Sequence, residues 1–208
     1  MATKKTAKAT GNTSPKLGNE VKNRSSARSF GSKSTPTTST EPSDEKSQPT
    51  PETLKAGMKL PAASLVDQDG KARALSGFKG SWLVLYFYPK DDTPGCTREA
   101  CSFQENLSAI TRMKANVVGI SSDSAARHRK FADKYQLSFP LLVDEDRAFA
   151  AACGVVGEKV LYGKRSLGVI RTTFIVDEMG IVRRVFRKVR VDGHTEEVLD
   201  ALRGLRKK

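Results

Sequence analysis

The stretch Trp82-Leu-Val-Leu-Tyr-Phe-Tyr-Pro89-Lys-Asp-Asp-Thr93-Pro-Gly-Cys96-Thr-Arg-Glu-Ala-Cys101-Ser-Phe103 decides how this chain folds. Residues 82–88 are all apolar or aromatic, the pattern of a strand buried on both faces, and Pro89 stops the run. Beyond the loop, Ala100, Phe103, Leu107, Ile110 and Met113 recur at three- or four-residue spacing, one apolar stripe of a helix. A buried strand passing through a short Pro/Gly loop into an amphipathic helix is the start of an α/β unit.

Upstream, Ala62–Val66, Asp67-Gln-Asp-Gly70 and Lys71–Leu75 read as a hairpin with Asp69-Gly70 in its turn. Downstream, Val117–Ile120 is a strand, and Ser122 or Asp123 can cap a helix that buries Phe131 and Tyr135. Leu141–Val143 follows as a short strand and Glu145–Cys153 as a short helix. Thr172–Val176 and Ile181–Phe186 form a second hairpin, and a last helix from about Thr195 buries Val198, Leu199, Leu202 and Leu205. Alternation in the centre with hairpins at the flanks predicts a three-layer α/β sandwich around a central mixed sheet.

Composition separates this domain, residues 57–208, from residues 1–56. The first 56 residues hold 19 Ser or Thr and five Pro, but just four large aliphatic or aromatic side chains: Leu17, Val21, Phe30 and Leu54. Such a segment cannot offset the entropy of ordering its backbone, so it reads as a disordered, basic Ser/Thr/Pro-rich tail. The net charge of +13 divides into +5 on the tail and +8 on the rest. A basic arm suits weak, nonspecific contact with nucleic acid through phosphate neutralisation; a solubilising tail without a partner is the plainer reading. No 18-residue apolar run is present, so no membrane span is expected, and no apolar block follows the early lysines as in a secretory signal. Three cysteines make no disulfide scaffold and fit a reducing, cytoplasmic setting, with plastid or nuclear targeting by the tail left open.

Cys96 falls at or near the start of the helix, where unpaired backbone N–H groups and the helix dipole favour an anion, hence the thiolate. A thiolate attacks the O–O bond of a peroxide and becomes sulfenic acid. Thr93 can place a hydroxyl beside that sulfur, while Pro89 and Pro94 constrain the loop and can shield the thiolate from water. Five residues on, Cys101 would have its Cα ~8.7 Å away and ~140° around an ideal helix. Disulfides generally need less than about 7 Å, so the pair can bond only if the first turns unwind. Zinc would need about four ligands. Apart from this pair the chain offers Cys153, His128 and His194, none at zinc-like spacing, and a general disulfide oxidoreductase would show Cys-x-x-Cys. Two packed core cysteines are the bland alternative, against which the Thr-Pro-Gly setting argues. Cys153 reads as a packed helix-end residue, and both histidines as surface residues.

Pro89-x-x-x-Thr93-x-x-Cys96, with Cys101 five residues on, resembles the peroxiredoxin active site. The wider YFYPKDDTPGCTREAC is similar to the peroxiredoxin Q branch, also called bacterioferritin comigratory protein. The resemblance runs through residues 57–208, including VVGISSDSAARHRKFADKY, FPLLVDE and RTTFIVDEMGIV, and leaves out the tail. It implies a thioredoxin-like fold and an atypical 2-Cys peroxidase that reduces hydrogen peroxide and organic hydroperoxides, in antioxidant defence. Cys96 would be oxidised, Cys101 would resolve it as an intramolecular disulfide, and thioredoxin or a similar dithiol would recycle the pair. No metal or prosthetic group is implied. By the same resemblance Arg171 approaches the Cys96 thiolate, where its guanidinium would help hold the peroxide oxygens; Thr97 and Glu99 match the motif and help orient the helix end. An internal resolving cysteine removes the need for a dimer, so a monomer is expected.

The runner-up is a nucleic-acid-associated redox protein using the tail, the run Arg183–Arg190 and the Arg203–Lys208 cluster. Against it, the run reads equally as an alternating strand with Val185, Val189 and Val191 inward and Arg183, Arg187 and Arg190 solvated.

Overall fold

The computed structural model describes residues 53–161 and 164–207, so the tail up to position 52 lies outside the described residues. The chain runs β1 (Ser64–Asp67), β2 (Ala72–Ala74), β3 (Trp82–Phe87), α1 (Pro94–Glu105), α2 (Leu107–Arg112), β4 (Ala115–Ser121) and α3 (Ala125–Tyr135). It continues β5 (Leu141–Val143), α4 (Ala148–Ala152), β6 (Val156–Leu161), β7 (Lys164–Val169), β8 (Thr172–Val176), β9 (Val182–Arg187) and α5 (His194–Arg206). A seven-stranded sheet has the order β2-β1-β5-β4-β3-β8-β9. β3, β4 and β5 are parallel neighbours, while β8, β9, β1 and β2 join antiparallel, giving the mixed sheet anticipated from the sequence.

The apolar run of β3 serves both faces. Val84, Tyr86 and Tyr88 pack with α1, α2, α3 and α5; Leu83, Leu85 and Phe87 pack with α4, Leu54 and Leu75. Strand register carries the functional end of the sheet. Phe87 pairs with Thr172, so Pro89 just after β3 and Arg171 just before β8 emerge side by side.

The two flanking hairpins share one device. The Asp67 carboxylate accepts the backbone N–H of Asp69 and of Lys71 and a bond from Arg73 Nε at 2.7 Å. Asp177 repeats it with Met179, Ile181 and Arg183 Nε at 2.6 Å. In both, a glycine at positive φ (Gly70, Gly180) completes the turn. Burial raises the Asp177 carboxyl, but its backbone donors and Arg183 outweigh that and hold it below the ordinary carboxylate value; Asp67 behaves alike.

Several expectations are corrected. The stripe Ala100–Met113 is two helices meeting at Asn106, whose side-chain amide (3.0 Å) and backbone N–H (3.2 Å) share the Ser102 carbonyl. The ribbon β6–β7 has no counterpart in the sequence reading. His128 and His194 are not surface residues, being 0% and 2% exposed. His128 belongs to the buried stripe with Phe131 and Ala132, and His194 lies between the rings of Phe103 and Phe186. In the run 183–190 the exposed arginines are not all free for a partner: Arg183 holds Asp177, and Arg187 donates to the carbonyls of Leu54 and Gly154. Among the described residues no helix is long and apolar enough to cross a membrane.

Leu54, counted with the tail in the sequence reading, is 2% exposed and part of the core cluster on the α4 face. A chain beginning at Gly57 should therefore be less stable than one beginning at Thr53. The expected loss is about 2–4 kcal/mol, from one buried leucine and the carbonyl bonded by Arg187. Urea unfolding of the two chains checks this; equal midpoints would show that the Leu54 contact adds nothing.

Candidate active site

Cys96 is the third residue of α1, 1% exposed. Thr93 precedes the helix in extended conformation and Pro94 takes its first position, where a missing N–H costs nothing. The Thr97 N–H already bonds the Thr93 carbonyl at 2.8 Å. The N–H groups of Gly95 and Cys96 have no carbonyl within the helix to bond, so the helix start presents donors to an anion at this point.

Arg171 closes the site from the sheet. Its Nη2 lies 3.2 Å from Cys96 Sγ, and its Nη1 bonds Glu99 Oε2, one turn further along α1. A Cβ on Gly95 would lie 3.3 Å from Arg171 Nη2, closer than most real contacts, so glycine gives the guanidinium room to reach the sulfur. The Arg171 carbonyl accepts the Val189 N–H at 3.1 Å, fixing the arginine's own backbone.

Glu99 is 1% exposed, and its Oε1 has no hydrogen-bond partner among the described residues. Burial pushes its carboxyl up to about 7, against the opposing pull of Arg171. Cys101 is half-buried and lies in the same helix as Cys96, both as free thiols. Burial, and secondarily the Glu105 carboxylate, raises the Cys101 thiol. Cys153 caps α4, fully buried, and burial pushes it up to about 12, the behaviour of an inert packed thiol.

The structure thus brings Cys96, Arg171 and Glu99 into one cluster. Thr93 stands at the helix entry, but its hydroxyl donates to the Lys90 carbonyl at 3.0 Å rather than capping the helix. With its proton so committed, the oxygen is left as an acceptor. Pro89 is half-buried at the bend between β3 and the loop. Glu99 carries more of the site's electrostatics than its place in the motif indicated. The sequence reading passed over Asp91 and Asp92 altogether, although two adjacent acids in a loop leading to a nucleophile are a visible signal. Asp91 is buried and meets Tyr88 and His128; Asp92, at φ +57°, bonds Lys134 and Tyr135.

The chain is similar to known proteins over most of the described residues. Residues 56–185 match the AhpC/TSA family. Peroxiredoxin Bcp of Bacillus subtilis is 40% identical over 156 residues, covering 75% of this chain and 99% of that protein. Peroxiredoxin Bcp of Escherichia coli is 40% identical over 150 residues, covering 72% and 96%. The structure of Xanthomonas campestris peroxiredoxin Q superimposes with a TM-score of 0.68 at 41% identity, covering 72% of this chain and 97% of that one. The chain belongs to the AhpC/TSA family, and within it to the peroxiredoxin Q/Bcp branch, with the thioredoxin-like fold of that group. It is a peroxiredoxin, a thiol peroxidase.

The Glu99 carboxyl yields a pH prediction. Held near 7 in the fold against an ordinary 4.5, it binds its proton more tightly in the folded chain. Its contribution to stability is complete below about pH 4.5 and is lost as the pH rises through 7. Relative to Glu99→Gln, the wild-type unfolding free energy should fall by about 1–3 kcal/mol between pH 5 and pH 8. Chemical denaturation at the two pH values checks it; parallel curves would mean that Glu99 is ionised throughout.

Proposed function

We propose that the chain reduces hydrogen peroxide and organic hydroperoxides at Cys96, with Cys101 as the resolving thiol and a dithiol such as thioredoxin as reductant. The observation that carries this reading is the contact between Arg171 Nη2 and Cys96 Sγ at 3.2 Å, at the start of α1. A related Xanthomonas campestris bacterioferritin comigratory protein has been studied for alkyl peroxide reduction, which supports the substrate class.

The Cys96 thiolate attacks one peroxide oxygen in line with the O–O bond. The S–O bond forms, the O–O bond breaks, and the leaving oxygen takes a proton to give an alcohol or water. Arg171 donors stabilise the charge that moves onto the departing oxygen. The Thr93 oxygen, free to accept, can receive a hydrogen bond from the peroxide hydroxyl and fix its orientation. Cys96 is left as sulfenic acid. Cys101 then gives up its thiol proton and its sulfur attacks the Cys96 sulfur; the S–O bond breaks, the leaving hydroxyl takes that proton and departs as water, and a disulfide joins the two. Two electrons and two protons from the dithiol restore both thiols.

In the reduced chain both cysteines lie on α1, at an ideal-helix separation of ~8.7 Å. Resolution therefore requires the first turns of α1 to unwind, since a disulfide needs less than about 7 Å. A single chain can complete this cycle, so we infer that it works as a monomer.

Stopped-flow peroxide kinetics decide the chemistry. Cys96→Ser should abolish turnover, because a serine hydroxyl stays protonated near neutral pH. Cys101→Ser should permit one fast oxidation and then stall at sulfenic acid. Substantial turnover in Cys96→Ser would refute the reading; full thioredoxin-coupled recycling in Cys101→Ser would assign resolution elsewhere. Amide exchange across residues 94–104 should rise in the disulfide form, and equal protection in both redox states would exclude the unwinding.

A further inference from the structure

We propose that His128 is a positioning residue for Cys96: through Asp91 it fixes the loop that delivers the cysteine, and, with Nε2–H committed to the Leu142 carbonyl, it does so with a second proton, between the ring and Asp91, that a neutral histidine beside an ionised aspartate cannot also supply. The proposal rests on Cys96 being the nucleophile, although His128 does not touch it.

The case begins with donors and acceptors. His128 is 0% exposed. Its Nε2 lies 3.2 Å from the Leu142 carbonyl oxygen and its Nδ1 2.8 Å from Asp91 Oδ2. A carbonyl can only accept, so Nε2 carries a hydrogen. A neutral ring has no second N–H, which would leave a bare Nδ1 lone pair facing a carboxylate oxygen. At 2.8 Å and out of water, that contact holds together only if one more proton lies in it, on the ring or on the acid. Either way Nε2 is paired with the Leu142 carbonyl and Nδ1 with Asp91, while the Tyr88 hydroxyl, 3.4 Å from Nδ1, spends its own proton on Asp91 Oδ1.

The pair is tied to the catalytic loop at several points. Asp91 Oδ1 accepts the Tyr88 hydroxyl at 2.7 Å, which links the end of β3 to the loop. The Asp91 N–H donates to Asp123 Oδ2 at 2.7 Å, and that oxygen also accepts the Ser121 hydroxyl at 2.9 Å. Asp91 is therefore fixed by both side chain and backbone. The next residue, Asp92, turns the chain at φ +57° and holds Lys134 and Tyr135 on the same helix as His128. The Thr93 hydroxyl then bonds back to the Lys90 carbonyl at 3.0 Å, and α1 begins, with Cys96 at its third residue. The path from Tyr88 to Thr93 is held by α3 and by Asp123 just ahead of it, and its buried anchor on α3 is His128. The Asp92 contacts are exposed and screened, so they are the weaker half of the attachment.

Side-chain shape gives a discriminating pair of variants. The asparagine amide nitrogen reaches roughly where Nδ1 stands, and that of glutamine roughly where Nε2 stands. His128→Asn should keep a donor to Asp91, whereas His128→Gln should keep the Leu142 contact and lose Asp91. With hydrogen peroxide as substrate, the second-order rate of Cys96 oxidation should fall about tenfold or more in His128→Gln, as a misplacement approaching an ångström would cause, and be largely restored in His128→Asn. Thermal unfolding of both variants serves as the structural measure. In the reduced wild type, NMR should show two exchange-protected downfield protons associated with the His128 ring, both absent in His128→Gln. Wild-type oxidation rates in His128→Gln, or equal losses of rate in the two variants that follow their losses of stability, would overturn the positioning role. A single ring-associated proton would overturn the proton count whether or not the chain reduces peroxide. A wild-type Cys96 inert to peroxide would refute the peroxidase reading and the positioning role with it, leaving the proton count standing.

Discussion

One guanidinium faces two buried acids, and much of the site's arrangement follows from that. Arg171 reaches Cys96 Sγ with one nitrogen and Glu99 with another. A single positive charge cannot balance a thiolate and a carboxylate together in a space closed to water, so the two compete for it. Burial settles much of the competition, since it pushes the Glu99 carboxyl up to about 7 and leaves its second oxygen without a partner. Near neutral pH a large fraction of Glu99 is uncharged, and the cation is then at the disposal of the sulfur. Glu99 in this state still orients the guanidinium without claiming its whole charge.

The same cluster depends on backbone space. Arg171 can lie beside Cys96 because position 95 is glycine and because register places the end of β3 next to the start of β8. The loop between β3 and α1 is then held from the other side by α3. Asp91 and Asp92 are adjacent, yet they meet different groups on that helix, one buried and one at the surface. Cys96 is thus held between two supports that belong to different parts of the sequence, the start of β8 and α3.

That separation explains what was legible in the sequence. The β3 run, the loop and the helix stripe are local patterns, and they placed the strand and put Cys96 at the start of the following helix with Cys101 further along it. Arg171 had no local signal; one arginine before a strand is unremarkable until resemblance to a family singles it out. His128 was misread because its neighbours Arg127, Arg129 and Lys130 are basic, whereas its spacing to Phe131 and Ala132 places it on the buried side. Leu54 was misread for a related reason: a lone leucine at the edge of a Ser/Thr-rich stretch gives no sign of the partners that Phe174, Val182 and Val155 provide in the same cluster. The break at Asn106 was hidden because the apolar spacing continues across it.

Energetics also limit how far α1 can open. Ala100 and Phe103 are 0% exposed and sit on the face that packs against Tyr86 and α5. Drawing Phe103 into water would cost about 1.5–3 kcal/mol for that side chain alone, before other contacts are counted. Bringing the cysteines together needs much less movement, from ~8.7 Å to within about 7 Å. Residues 94–101 can supply it if they leave the helix, with loss of the Arg171 contacts to Cys96 and Glu99. The Ser102 hydroxyl bonds Thr195 of α5 at 2.8 Å and marks where the helix is fastened again. The opening is therefore most favourable when confined to the turns between Pro94 and Cys101, with Phe103 kept in the core. In the proposed cycle, oxidation takes apart the Arg171 contacts around Cys96, and the aromatic packing of Phe103 stays in place for the helix to re-form on reduction.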